Sequence, residues 1–185
     1  MIALLIIAAV LVVVGAWVIG IYNSLIELKV RAENAWSDID IQLKRRYDVI
    51  PNLVATVQGY AAHEKGTLEK VIQARASAMN ASGVAQKGEA ENFLSGTLKS
   101  LFALSENYPN LKANENFTQL QKTLIEIEDV IQNARRYYNA VVRDFNTTLQ
   151  TFPTNILANF FQFKTREFFQ LDAPAVERQA PQVKF

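Results

Sequence analysis

The sequence predicts an all-α protein, an N-terminal transmembrane helix that continues into an antiparallel four-helix bundle. Three observations predict it. Residues 1–22 hold only Gly15 and Gly20 outside the apolar set, and every charged residue lies at or beyond Glu27. After Tyr22, apolar residues recur at helical three-and-four spacing and no alternating strand pattern is found. Pro and Gly-containing turns then cut this helical material into segments of bundle length.

The first element is the apolar run. About 20 residues at roughly 1.5 Å each span a hydrocarbon core about 30 Å thick. A cleaved signal peptide fits less well, because no Lys or Arg precedes the run, the run is too long, and Val14-Gly15-Ala16 is a poor cleavage sequence. Ala16 and Gly20 form a small-xxx-small pair, a candidate surface for close packing of two membrane helices. Lys29, Arg31, Lys44, Arg45 and Arg46 follow the run, so the positive-inside rule places the soluble part in the cytoplasm of a single-pass inner (plasma) membrane protein.

The first soluble helix carries the seam Leu25, Leu28, Ala32, Ala35, Ile39, Leu43 and continues the membrane helix without a Gly or Pro break. Lys44-Arg45-Arg46 suits its C-terminal end, where cations meet the negative end of the helix dipole. Asp48 then suits an N-cap, with Pro51 in the first turn of a second helix that runs to about Met79. Gly59 and Gly66 weaken its middle. A turn at Asn80-Ala81-Ser82-Gly83 precedes a third helix of about Lys87 to Asn107, with Phe93, Leu94, Leu98, Leu101 and Phe102 on its apolar side. Asn114 caps a fourth helix, ended by Pro153. Its seam is the longest: Phe117, Leu120, Leu124, Ile127, Ile131, Ala134, Tyr138, Val141, Phe145, Leu149. The domain organisation is therefore a transmembrane helix at 1–22, a helical bundle at 23–152, and a Phe-rich segment with an extended tail at 153–185. In up-down-up-down topology the fourth helix returns toward the bilayer. Phe160, Phe161, Phe163, Lys164, Arg166, Phe168 and Phe169 then form a candidate membrane-interface patch, or alternatively a cover over the open end of the bundle.

Composition removes several classes of function. With 19 Lys+Arg against 18 Asp+Glu the chain is nearly neutral, which argues against nucleic acid as a partner. Zero Cys removes thiolate chemistry and cysteine-ligated metals, and a single His removes multi-histidine sites. No catalytic residue, metal site or cofactor is expected. His63, inside the second helix, reads as a surface or hydrogen-bonded structural histidine. Asp38 and Asp40 are two apart and face different directions, and Asp48 reads as a cap. The informative polar motifs are Arg45-Arg46-Tyr47 and Arg135-Arg136-Tyr137-Tyr138. Guanidiniums beside phenols suit a carboxylate or phosphate of a partner. Without a Gly-rich phosphate cradle beside them, they suit better bridges between helices, with the Arg stems along the apolar seam, or self-association.

The segments Asn34-Ala35-Trp36-Ser37-Asp38-Ile39-Asp40-Ile41-Gln42-Leu43-Lys44-Arg45-Arg46-Tyr47-Asp48-Val49-Ile50-Pro51-Asn52-Leu53-Val54 and Gly59-Tyr60-Ala61-Ala62-His63-Glu64 resemble the LemA family. So do the run from Ala134 to Asn146 and Phe152-Pro153 followed by the aromatic segment. The resemblance implies a bacterial membrane protein with a helical-bundle domain, and relatives linked to magnetosome membranes. The expected function is a non-enzymatic, membrane-anchored scaffold. Its expected partners are the lipid bilayer, further copies of the chain and other membrane proteins. The alternative is a membrane-bound sensor that binds an anion or peptide through the Arg-Tyr clusters.

Overall fold

The computed structural model describes residues 1–170 and is all-helical, with no strand among the described residues. Six helices are present there: α1 (Ile2–Tyr60), α2 (Lys65–Asn80), α3 (Val84–Ser105), α4 (Pro109–Lys112), α5 (Glu115–Gln150) and α6 (Thr154–Phe160). The tail expected at residues 172–185 lies outside the described residues. Two compact units divide the chain. Among the described residues, one comprises residues 1–38 and 136–168, and the other residues 39–135 with Phe169 and Gln170.

In the first unit, α1 begins as an apolar helix with nothing packed on it. It is long and apolar enough to cross a membrane, and its most apolar eighteen-residue window has no buried residue. Burial starts at Leu25, which joins Phe145, Leu149 and Ala158 in a core flanked by Ile21, Leu28 and Phe163. Leu25 is buried because α5 and α6 cover it, whereas the apolar residues around Val12 have no neighbouring helix.

The chain after α6 is steered into this core by the end of that helix. Gln162 has φ 57°, in the left-handed region. Its N–H donates to the Asn159 carbonyl at 3.1 Å, and the Phe163 N–H donates to the Ala158 carbonyl at 2.9 Å. This pair of bonds is a Schellman motif, with Gln162 at the position usually held by glycine. The turn points Phe163 back onto Ala158 and Phe145. Beyond it, the Arg166 N–H donates to Asn146 Oδ1 at 2.9 Å, while Asn146 Nδ2 donates to the Arg166 carbonyl at 2.9 Å. The Tyr138 hydroxyl donates to the Glu167 carbonyl at 3.0 Å, and Tyr138 packs beside Trp36 with ring centroids 5.5 Å apart. One amide side chain thus satisfies two backbone groups of this extended stretch.

The second unit buries apolar residues from five helices: Ile39, Leu43, Ile50, Leu53 and Val57 of α1, Leu68 and Val71 of α2, Leu94 and Leu101 of α3, Leu111 of α4, and Phe117, Leu124 and Ile127 of α5. Helices α2 and α3 pack on each other across the turn at residues 81–83, where Gly83 takes φ 80°. Gly88 of α3 permits a close approach, since a Cβ there would stand 2.5 Å from the Gln170 carbonyl oxygen.

Three sequence expectations are corrected here. First, no helix boundary falls at residues 44–51: α1 runs through Asp48 and Pro51 to Tyr60. Pro51 lacks the N–H that would bond the Tyr47 carbonyl, and Arg75 Nε supplies the missing donor at 2.8 Å. Asp48 is an exposed mid-helix residue 3.4 Å from Lys44, not a cap. Second, the break falls instead at residues 61–64, between the two glycines expected only to weaken the helix, so His63 lies exposed in a connection. Third, Phe93 of α3 is 56% exposed, while Lys87 and Glu91 of the same helix are buried. The expected cap at Asn114 is found: its Oδ1 accepts from the Phe117 N–H at 2.9 Å, and its Nδ2 donates to the Tyr60 hydroxyl at 2.9 Å.

Candidate functional site

Two places concentrate polar and aromatic chemistry, one in each unit. The first is a buried polar cluster in the second unit. Arg46 and Tyr47 are consecutive on α1 and both buried, 4% and 5% exposed. Arg46 Nη1 lies 3.3 Å from Glu91 Oε2 and 3.2 Å from Glu128 Oε2, and its Nη2 donates to Ser95 Oγ at 2.8 Å. The Tyr47 hydroxyl donates to Glu91 Oε1, with the Ala78 carbonyl 3.4 Å away. Lys87 Nζ sits 5.5 Å from the Tyr47 ring centroid and 3.9 Å from Asp40 Oδ1.

Electrostatics follow from this packing. Burial pushes the Glu91 carboxyl above its usual range, opposed by the Tyr47 hydrogen bond and by Arg46 and Lys87. Burial and the Glu91 hydrogen bond push the Tyr47 phenol well above its usual value, which keeps it a donor. Glu91 accepts from two partners and Arg46 reaches three, so the groups satisfy one another. A buried carboxyl of raised pKa is also how a general acid is made, but here both of its oxygens are occupied by the chain's own donors.

The second place is a groove of about 470 Å³ in the first unit, lined by Tyr22, Lys29, Phe161, Lys164, Thr165 and Arg166 among others. Tyr22 stacks near Phe161 and Phe163, with centroids 4.8 and 6.0 Å away, and Phe160 meets Phe161 edge-on at 5.1 Å. Arg166 Nη2 pairs with Glu33 Oε1 at 2.5 Å.

The structure distributes the sequence-selected residues unevenly. Arg46 and Tyr47 enter the buried cluster, whereas Arg45 stays exposed. On α5, Arg135 is half-buried and Arg136 and Tyr137 are exposed. Of the aromatic segment, Phe161, Phe163, Lys164 and Arg166 line the groove and Phe160 remains 77% exposed beside it. Phe168 borders a separate surface hollow with Arg143 and Asn146, and Phe169 is buried in the second unit against Gly88. Ala16 and Gly20 are exposed, and a Cβ at Gly20 would meet nothing within 4 Å. Asp38 and Asp40 are both exposed. Among the described residues, no group of three or more His, Asp or Glu side chains is placed to hold a metal. Sequence reasoning missed Glu91, Ser95, Lys87 and Glu128, and also Glu33 and Asn146. A charged residue at an apolar register of α3 was the available signal for Glu91, which sits three residues before Leu94.

Comparison with known proteins gives the lineage. Protein LemA of Metamycoplasma hominis is 31% identical over 165 residues, covering 86% of this chain and 73% of that protein. Magnetosome proteins MamQ 2 and MamQ 1 of Paramagnetospirillum magneticum are each 24% identical over 175 residues, covering 80% of this chain. The chain spans only 64% of the length of those two magnetosome relatives. The LemA family model matches residues 35–185, which takes in the buried cluster and the groove's aromatic segment, and the chain belongs to the LemA family.

Proposed function

We propose that the chain is a non-enzymatic, single-pass scaffold of the bacterial inner membrane, whose helical domain assembles laterally or holds partner proteins at the bilayer. The observation that carries this reading is the start of α1, an apolar surface with no protein against it. Such a surface is unstable in water and stable in hydrocarbon, and a helix satisfies its own backbone there. Because α1 continues without interruption to Tyr60, the anchor and the domain share one helix. The cations that follow the apolar run favour a cytoplasmic domain.

The second unit supports the scaffold reading in two ways. Its buried apolar residues come from several helices, which fits a helical bundle, and exposed Ile41, Ile72, Phe93, Ile125 and Val130 offer apolar contact points for a neighbour. Arg46 and Tyr47 are already engaged with Glu91, which favours a structural use of that motif over anion sensing. Relatives named as magnetosome proteins are compatible with a membrane-associated scaffold. Purification in mild detergent followed by mass measurement tests the reading. A homo-oligomer or a stoichiometric protein partner is expected, and a strict monomer without partner at every concentration removes the assembly role.

A further inference from the structure

The groove of the first unit has a composition that a hydrophobic cover does not need. Its polar lining includes three cations, Lys29, Lys164 and Arg166, and no carboxylate. Arg166 is neutralised by Glu33. Lys29 and Lys164 form no ion pair among the described residues, so two of the three cations lining the groove are open to an anion there. Thr165 and Tyr22 also line the groove, which thus combines donors for an anion with aromatic side chains.

Position selects the anion. Tyr22 closes the exposed apolar run of α1, and with Phe160 and Phe161 it makes an aromatic group of the kind found where hydrocarbon meets headgroups. Lys29 lies seven residues on, about 10 Å further along the helix axis. Helical side chains lean toward the helix N-terminus, so the lysine stem reaches back toward the bilayer. A headgroup layer some 5–8 Å deep on each face places lipid phosphates within that reach.

We propose that this groove is a binding site for the phosphate headgroup of an anionic phospholipid, held by the Lys29 and Lys164 ammonium groups and the Thr165 hydroxyl. The proposal rests on the membrane-anchor reading of α1. It gives the cationic groove a specific ligand class rather than a general affinity for the surface.

The experiment uses the full-length protein in nanodiscs of phosphatidylcholine alone or mixed with phosphatidylglycerol, with retained lipid measured after extraction into mild detergent. The native protein should retain phosphatidylglycerol preferentially. Each surface lysine contributes about fivefold to anionic-lipid association. The Lys29→Gln/Lys164→Gln pair should therefore lose roughly 25-fold of the preference at unchanged helicity. The Lys29→Arg/Lys164→Arg pair should keep most of it. Equal retention of both lipids, or an indifferent glutamine pair, overturns the proposal. Inorganic phosphate that displaces the lipid and protects the protein equally well makes the site one for free phosphate, which also overturns it. Flotation with purely zwitterionic vesicles reads the anchor separately. A protein that floats without a lipid preference defeats this inference alone, and one that does not float defeats the anchor reading as well.

Discussion

Arg75 Nε donates a 2.8 Å hydrogen bond to the Tyr47 carbonyl, the acceptor that Pro51 leaves without an amide four residues later. A proline inside a helix normally bends or ends it, at a cost of about 3 kcal/mol relative to alanine. Here a side chain from α2 fills the vacancy, and α1 continues to Tyr60. Pro51→Ala restores the backbone donor and should raise stability by about 1–2 kcal/mol. Arg75→Met should cost about 1–2 kcal/mol in the native background and clearly less in Pro51→Ala. Chemical denaturation of the four proteins closes the cycle. Strict additivity would show that the guanidinium does not compensate the proline.

The buried cluster makes stability depend on pH in an unusual direction for a carboxyl. Burial raises the Glu91 pKa above its ordinary value of 4.5. Between that value and the native one the folded state holds more protons than the unfolded chain, so this group's contribution falls as pH rises and levels off above the native pKa. Tyr47, also raised, adds a second loss above its ordinary value of 10.0. Glu91→Gln should flatten the first slope, so that the variant gains on the native protein as pH rises through that window. Denaturation midpoints across mildly acidic to neutral pH measure the difference, and parallel curves would contradict it.

Arg46→Ala should destabilise the protein by about 3–5 kcal/mol, because Glu91 would remain buried without its cation. The pair Arg46→Met/Glu91→Leu should recover a large part of that loss, since apolar side chains of similar volume need no compensation. Thermal unfolding of the single and paired variants checks both statements. A paired variant as unstable as the single one would show that packing at Arg46, not charge, sets the cost.

Two single changes test the stretch that follows α6. Gln162→Gly should stabilise by about 0.5–1 kcal/mol, because left-handed strain of about 1–2 kcal/mol exceeds the added unfolded-state entropy of glycine. Asn146→Ala removes both bonds to the Arg166 backbone. It should cost about 1–3 kcal/mol and speed hydrogen exchange at the Arg166 amide. Unchanged exchange there would mean that the segment is held by Phe163 and Tyr138 instead.

Helical class was legible in the sequence because it rests on local periodicity. The α5 seam is buried at Phe117, Leu124, Ile127, Ile131, Tyr138, Val141, Phe145 and Leu149, and the α1 seam at Leu25, Ala32, Ala35, Ile39 and Leu43. What failed was decided by groups far away in the chain. Pro51 reads as a helix start until Arg75 is brought to it. Asn146 reads as a polar residue beside the seam until Arg166 returns to it. The Arg46-Tyr47 pair announced chemistry, yet of its partners only Glu91 carries a local mark, its place at an apolar register of α3, while Ser95 and Glu128 look like surface residues. Apolar patterning also misplaced Phe93, because the α3 face toward the core is fixed by Lys87 and Glu91 meeting charges from α1.

The chain has no cysteine, so single cysteines report on the start of α1 without background. Val12→Cys and Ser24→Cys, in sealed vesicles, can be exposed to a membrane-impermeant maleimide before and after permeabilisation. A bilayer-spanning α1 leaves Val12→Cys unlabelled in intact vesicles of either orientation and labels Ser24→Cys from one side only. Labelling of Val12→Cys as fast as Ser24→Cys in intact vesicles would place this helix in water and end the account of an anchored scaffold.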